Sequence, residues 1–314
     1  MKRILVVHFS QTGQLTRAVS SVVAPLVQAG HVVTEEVLQP AQPYPFPWPA
    51  LAFLDAFPES VLQRPAPIQP IQTPSDAPFD LVILAYQAWY LSPSQPMTAF
   101  LQSPAALRLL RGRPVVTMVV CRNMWLMAQE QMKTLIAAAG GIHRDHIALT
   151  DAPEHAIASF ITTPRWLLTG RRNAFWGLPA AGVPEQELAD ASRFGLALAQ
   201  ALTRNEEQGV EPMLRGLRAA PVQTDLIMSE RAGYRAFRVW APLLAACGAP
   251  GRPLRRLMLL VFMVYLVLMI LTVVPISRLL QRLLAPVLRP RLLHMKAQFE
   301  APSGAESDRL NVTV

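Results

Sequence analysis

The chain has 314 residues, 52% of them hydrophobic and only 16% charged, with a formal net charge of +8. That length holds one large domain or two modest ones, and so apolar a composition is unlike an ordinary soluble protein. Two cysteines far apart, Cys121 and Cys247, leave no disulfide framework, zinc spacing or CxxC motif.

The charge is divided unevenly. Residues 1–204 carry 15 Lys/Arg against 13 Asp/Glu, whereas residues 205–314 carry 14 against 8. From Arg231 to Lys296 there are eleven basic residues and no acidic one. A segment both cationic and apolar suits an anionic bilayer; nucleic acid would not need the Leu/Met/Val tract inside it.

In chain order, the basic start runs into a short apolar stretch with no cleavage site. It predicts a first strand over 4–9 rather than a signal peptide, and a main domain in the cytoplasm. A helix is expected over 14–29, stopped by Gly30, and a second strand over 31–38. Residues 40–78 form a Pro-rich excursion, including Pro43-Tyr44-Pro45-Phe46-Pro47-Trp48-Pro49, in which regular helix or central strand is not expected. Its aromatics (Tyr44, Phe46, Trp48, Phe53, Phe57) argue against disorder, and a lid or an oligomer contact is expected of it.

Strands are predicted over 80–86, 114–121 and 142–149. Helices are predicted over 96–110, with a break near Pro104, over 123–139, and over 184–202. Alternating apolar strands and helices imply an α/β fold, a doubly wound parallel five-stranded sheet of order 2-1-3-4-5, filling residues 1–204. Residues 205–230 read as a polar linker and 231–314 as a basic, hydrophobic, membrane-associated helical region. Within it, 257–276 is a run of twenty uncharged residues, long enough to cross a hydrocarbon core. Basic residues on both flanks sit awkwardly with a single crossing. Pro275 could bend the chain so that 276–288 lies flat, and crossing and re-entrant insertion both stay open.

The chemistry-bearing motif is the turn after the first strand, Ser10-Gln11-Thr12-Gly13-Gln14-Leu15-Thr16. It offers hydroxyls, a glycine able to take positive φ, and the N-terminus of the next helix, where open N–H groups favour an anion. There is no Lys of a nucleotide-triphosphate loop and no G-x-G-x-x-G. A neutral, hydroxyl-rich turn suits a buried phosphate monoester.

This turn, HFSQTGQLT, resembles the phosphate-binding loop of flavodoxins and flavodoxin-fold oxidoreductases, strand-[ST]-x-[ST]-G-x-[ST]. Here Gln14 and Leu15 precede Thr16, so the last hydroxyl is displaced by one position. With the strand spacing, the resemblance covers residues 1–204. It implies FMN as cofactor, its phosphate held by residues 10–16. The flavin ring would lie over the ends of the third and fourth strands, at Gln87, Ala88, Trp89, Tyr90, Arg122 and Asn123. Trp89 or Tyr90 would stack on it, and Arg122 would offset the charge of the reduced ring or grip an acidic substrate. Asn123 reads equally well as a helix cap.

More narrowly, Ser10-Gln11-Thr12-Gly13-Gln14-Leu15, the Pro-Tyr-Pro-Phe-Pro-Trp segment and the hydrophobic extension are similar to flavodoxin-family proteins known as dialkylresorcinol-condensing enzymes. These accompany ketosynthases in bacterial dialkylresorcinol and aryl-polyene pathways. That resemblance implies FMN-dependent aromatisation of a dialkyl-cyclohexanedione to a resorcinol.

Other reactive side chains read as structural. Cys121 is expected to be a small hydrophobe. His143 and His146 are expected at the surface, and His8 as a satisfied core histidine. No metal site is expected, and the sequence does not identify a catalytic acid or base.

The leading expectation is an FMN oxidoreductase attached to the cytoplasmic face of the inner membrane, acting on an apolar small molecule such as a cyclic dione or quinone. The alternatives are a flavodoxin-type electron carrier or quinone reductase, and a non-enzymatic membrane scaffold. Expected partners are the substrate and anionic lipid, with no nucleic acid. A biosynthetic partner enzyme and a homodimer stay open.

Overall fold

The computed structural model describes residues 1–74, 76–151 and 158–310. The first half alternates as the apolar pattern predicts. Strand β1 (Arg3–His8) leads to α1 (Gln14–Gln28), then β2 (Val32–Val37), β3 (Leu81–Tyr86), β6 (Pro114–Cys121) and β7 (Ile142–Thr150). All pairings in this sheet are parallel, in the order β2-β1-β3-β6-β7. Buried on both faces, β1 and β3 are continuous apolar runs.

Alternation of side chains across the sheet divides the core. Ile4, Val6, Ile83 and Met118 face α1 and the helix pair α8 (Glu185–Asp190) and α9 (Ser192–Thr203). Leu5, Val7, Leu84 and Val119 face α4 (Gln95–Leu101), α5 (Pro104–Leu110) and α6 (Leu126–Ala138). The break near Pro104 is present, with Ser103 capping α5 through Ala106 N. The helix expected over 184–202 is two helices, parted at Ala191.

The Pro-rich excursion contains more regular structure than its proline content suggests. Past the prolines lie two short helices, α2 (Ala50–Asp55) and α3 (Phe57–Val61), so the expectation of no helix there is corrected. Pro58 sits in the first turn of α3, where a missing N–H costs nothing. Gln95 anchors the excursion: its Oε1 accepts from Tyr44 Oη (2.9 Å) and Ala66 N (3.1 Å), and its Nε2 donates to Ala56 O (3.0 Å).

His146 is wholly buried and His143 half-buried, where both were expected at the surface. A bulge opposite Val115/Val116 inserts an extra residue in β7 and sets both histidines on the face of Thr117. The Thr117 hydroxyl lies 2.9 Å from a ring nitrogen of each, and Gln129 joins it to Tyr86. Burial lowers the pKa of both imidazoles, that of His143 to about 4. Spacing along the sequence could not reveal this, because the bulge reverses the alternation. His8 is buried as expected, but neither ring nitrogen has a partner among the described residues.

Residues 211–222 pack along the exposed side of β7. Ala148 N donates to Ala219 O (2.8 Å), and the Asp145 carboxylate accepts from Met213 N (2.9 Å) and Leu214 N (3.1 Å). The stretch read as a linker therefore covers a sheet edge that would otherwise offer unpaired backbone groups.

Three long helices follow: α10 (Thr224–Ala246), α11 (Pro253–Leu283) and α12 (Ala285–Glu300). Helix α11 runs through Pro275 and ends at Leu283, later than the bend expected there. Its stretch Pro253–Ser277 is, among the described residues, long and apolar enough to cross a membrane. A third core joins α11 to the excursion, with Phe57 stacked on Phe262 at 4.3 Å between ring centres.

Candidate functional site

The β1–α1 turn is built as an open cradle. Gly13 holds φ +77°, a left-handed conformation that L side chains resist, and nothing lies within 4 Å of where a Cβ would stand. Among the described residues no side chain caps α1, so its first N–H groups have there neither an intrahelical acceptor nor a capping one. The Ser10 hydroxyl is buried and has no partner among the described residues. A buried hydroxyl left unpaired beside an uncapped helix start is costly unless an acceptor comes from outside the chain.

The remaining residues of the turn divide by role. Gln11 Nε2 donates to Pro45 O (2.9 Å), tying the turn to the excursion. Gln14 folds inward, exchanging hydrogen bonds with the backbone of Val183 (2.8 and 3.2 Å). Leu15 is core, and Thr16 is exposed on the first turn of α1.

Beyond β3 the chain makes a two-residue hairpin, β4 (Ala88–Trp89) against β5 (Ser92–Pro93). Its turn residues Tyr90 and Leu91 both hold positive φ, 52° and 60°, positions that hairpins ordinarily give to Asn and Gly. Strain of this kind costs about 1–3 kcal/mol per residue and persists only where the surroundings over-determine it. Here Tyr90 Oη donates to Phe53 O, its ring packs on Phe53 and Phe57, and Gln131 Nε2 donates to Leu91 O (3.0 Å).

The hairpin thereby fixes Trp89 in an aromatic cluster, edge-on to Phe9 (6.0 Å), Tyr44 (5.0 Å) and Trp48 (5.8 Å). Helix α7 (Ser159–Thr169) closes the other side: Trp48 N donates to Leu167 O (2.8 Å), and Trp166 meets Phe46. Gly182, at φ +83°, passes so close that a Cβ would lie 2.6 Å from Gln14 and 2.8 Å from Trp166.

Together these elements line a cavity of about 200 Å³. Of the residues predicted as cofactor contacts, it gathers Gln11, Thr12, Gln14, Gln87, Ala88, Trp89, Tyr90 and Arg122. Ser10, Gly13, Leu15, Thr16 and Asn123 are not in its lining. Trp48, Phe53, Thr163, Trp166 and Gly182 also line it. The first two belong to the excursion read as a lid or contact. The others come from a stretch with no regular pattern, and only the glycine's steric demand marks them. Residues 152–157 of that stretch lie outside those described.

Two groups set the electrostatics. Burial pushes the Arg122 guanidinium down to about 10, opposed by the charge of Asp151, and its cation lies 4.0 Å from the Phe160 ring centre. It still carries its charge at neutral pH, placing a cation among the aromatic, amide and hydroxyl side chains of the lining. Burial pushes the Cys121 thiol upward, so it stays protonated and behaves as a small hydrophobe.

Asn123 turns away from the cavity and does not cap α6, whose N-terminus has no cap from its own flanking residue. Glu230 of α10 fills that role, accepting from Met127 N at 2.8 Å. Among the described residues no group of His, Cys, Asp or Glu is placed to hold a metal.

No family model matches the chain, and no curated protein matches it. Among solved structures it is similar to a flavodoxin from the domain Archaea, at 10% identity over 65% of this chain and 99% of that one, TM-score 0.36. It is also similar to a flavoprotein in complex with FMN from Lactobacillus acidophilus NCFM, at 10% identity over 47% and 93%, TM-score 0.39. A flavodoxin of Streptococcus pneumonia TIGR4 aligns at 11% identity over 62% and 98%, TM-score 0.33. Likeness at these levels transfers no residue's role. The sheet order β2-β1-β3-β6-β7 by itself gives the chain a flavodoxin-like, doubly wound α/β fold.

Proposed function

We propose that this chain is a membrane-associated, FMN-dependent oxidoreductase with an apolar small-molecule substrate. The observation that carries this reading is the unpaired, buried Ser10 hydroxyl at the uncapped start of α1, beside a cavity walled by aromatic rings. Hydroxyls, open amides and no cation are the donor set that a phosphate monoester at a helix N-terminus needs. The Ser10 and Thr12 hydroxyls, with the backbone at Gly13, Gln14 and Leu15, would hold the phosphate of FMN.

When bound, FMN supplies the redox chemistry; the protein supplies position, dielectric and charge. Trp89, Trp48, Phe53 and Trp166 exclude water and offer rings to a flat or apolar molecule. Arg122 gives that wall its cation, suited to negative charge appearing on the ring or on an enolised substrate. The apolar stretch Pro253–Ser277 supports membrane association, on the cytoplasmic side in our reading. The finer assignment, removal of two hydrogens from a dialkyl-cyclohexanedione to give a dialkylresorcinol, rests on the motif resemblance and agrees with a largely aromatic wall that includes a cation.

The test is a spectrum of the full chain extracted from membranes. We expect a yellow protein that releases FMN on heating, is reduced by a cyclic dione under anaerobic conditions, and is reoxidised in air. Colourless protein that takes up no added FMN overturns the reading. FMN bound but inert towards diones and quinones keeps the cofactor and removes the substrate class.

A further inference from the structure

We infer that α11 lies in the plane of a single membrane leaflet, its outer face sunk among the acyl chains, and does not cross the bilayer. This rests on the membrane association proposed above and adds its geometry.

The chain on both sides of α11 belongs to one body. After α11, α12 returns to the sheet: Met295 is buried in the same core as Leu5 and Val7, and Phe299 packs against it. Ser303, wholly buried, donates to Asp145 Oδ1 (2.8 Å) and accepts from His146 N (2.7 Å) on β7. Arg218 N donates to Glu306 O, and Arg309 Nη1 donates to Met213 O. A crossing would place these residues across the bilayer from the strand they are packed on.

Both ends of α11 are also held. At its start Arg255, 1% exposed, bonds Asp55 Oδ1 (2.5 Å) and both carboxylate oxygens of Glu59 (2.8 and 2.6 Å) in α2 and α3. Helix α10 runs antiparallel beside it, Trp240 against Phe262 and Tyr265, and Ser229 against Ser277 at 3.3 Å. Helix α10 carries Arg231, Arg235 and Arg238, so upright insertion of α11 would drag three cations towards hydrocarbon.

Lying flat removes both conflicts. The inner stripe of α11 (Arg255, Leu259, Phe262) is buried, while the outer stripe at Leu257, Leu260, Val264, Val267, Leu268 and Leu271 is exposed and wholly apolar. Lipid is the occupant that the charge selects. Arg252 and Arg256 are exposed where this stripe begins, Arg235 and Arg238 are exposed on α10, and no acid occurs between Arg231 and Lys296. Phe53 and Tyr90 line the cavity on one side and pack against the α11 core on the other, so the site stands next to the leaflet. An apolar substrate would then reach it from lipid.

The full chain, in a Cys247→Ser background, would be added to sealed vesicles of phosphatidylglycerol and phosphatidylethanolamine. Fluorophores on Leu257→Cys, Val264→Cys and Leu271→Cys would be quenched by lipids spin-labelled at shallow or deep acyl positions. We expect equal, shallow quenching at all three, and Ser307→Cys reachable by an impermeant maleimide from outside. Deep quenching at 264 with shallow ends, or a protected Ser307→Cys, establishes a crossing and overturns the inference. Unquenched labels in a dimer on the vesicles overturn it in favour of a second copy. No vesicle binding at all overturns membrane association itself, while retained FMN in the same sample would leave the flavin reading standing.

Discussion

Helix α1 buries Leu15, Ala18, Val19, Val22 and Leu26 against the sheet and turns Thr16, Arg17 and Ser20 outward. Helix α11 buries Leu259 and Phe262 against the excursion and turns Leu257, Val264 and Leu271 outward. The inner stripes follow one rule, apolar side chains at helical spacing against a core. The outer stripes differ, and they carry the information about surroundings. Polar residues on α1 suit water; in the in-plane arrangement proposed above, the apolar outer stripe of α11 meets lipid.

The largest effect is expected where that contrast is reversed. Val264→Asp with Leu268→Asp gives α11 the kind of outer face that α1 has. Each aspartate costs about 2 kcal/mol or more in a lipid-facing helix, so vesicle partitioning should fall at least about a hundredfold. Ser20→Asp on the outer face of α1 should change it by less than about twofold. Flotation on a density gradient measures both, with far-UV circular dichroism to check folding. Equal partitioning of the two variants would mean that the outer stripe of α11 does not meet lipid.

The two helices also differ at their starts. Helix α11 begins with an ion-paired arginine, α1 with an uncapped turn and an orphaned hydroxyl. Because Ser10 Oγ has no partner among the described residues, Ser10→Ala should leave the melting temperature of the flavin-free protein within a degree or so. It should weaken FMN by about tenfold or more, since a hydrogen bond to a charged group contributes about 1.5–3 kcal/mol. Fluorescence titration of the apoprotein reads the affinity. An unchanged affinity, or a destabilised apoprotein with unchanged affinity, would remove Ser10 from the phosphate site.

The same contrast explains what could be read in advance. Strands such as β3 and β6 are buried on both faces, so their apolar runs mark them within a residue or two. The β1–α1 turn was legible because its chemistry is local: hydroxyls, a glycine and a helix start within seven residues. Side chains that depend on distant contacts were not. Gln14 and Trp166 both come close to residue 182 only because it is a glycine whose backbone passes between them. His143 and His146 share a face only through a bulge. The strained turn at Tyr90 and Leu91 is sustained by Phe53 and Gln131, which local sequence rules for turns do not include. Helix α11 announced its composition but not its partners, which are Asp55 and Glu59 for Arg255 at one end and, after the other end, α12 returning to the sheet.

The last contrast tests how α10 joins the two regions. Glu230 is wholly buried, and its carboxylate accepts Met127 N at the start of α6, so a C-terminal helix caps a helix of the sheet domain. Burial raises its pKa from 4.5 to about 8, partly opposed by the backbone N–H groups of Met127 and Leu126. The folded protein therefore holds this proton over a range where the unfolded chain has lost it. The stability it contributes is complete below about pH 4.5 and declines as pH rises towards 8, by up to about 1.4 kcal/mol per pH unit. Glu230→Gln keeps a neutral acceptor for Met127 N and removes the titration. Melting temperatures of both proteins at pH 5, 6, 7 and 8 give a difference curve, in which Asp145, also raised by burial to about 6, cancels because both proteins contain it. The variant should gain on the wild type steadily with rising pH. Parallel curves would mean that Glu230 is ionised throughout and that its contact with α6 is a charged cap, favoured by the helix dipole over the cost of burial.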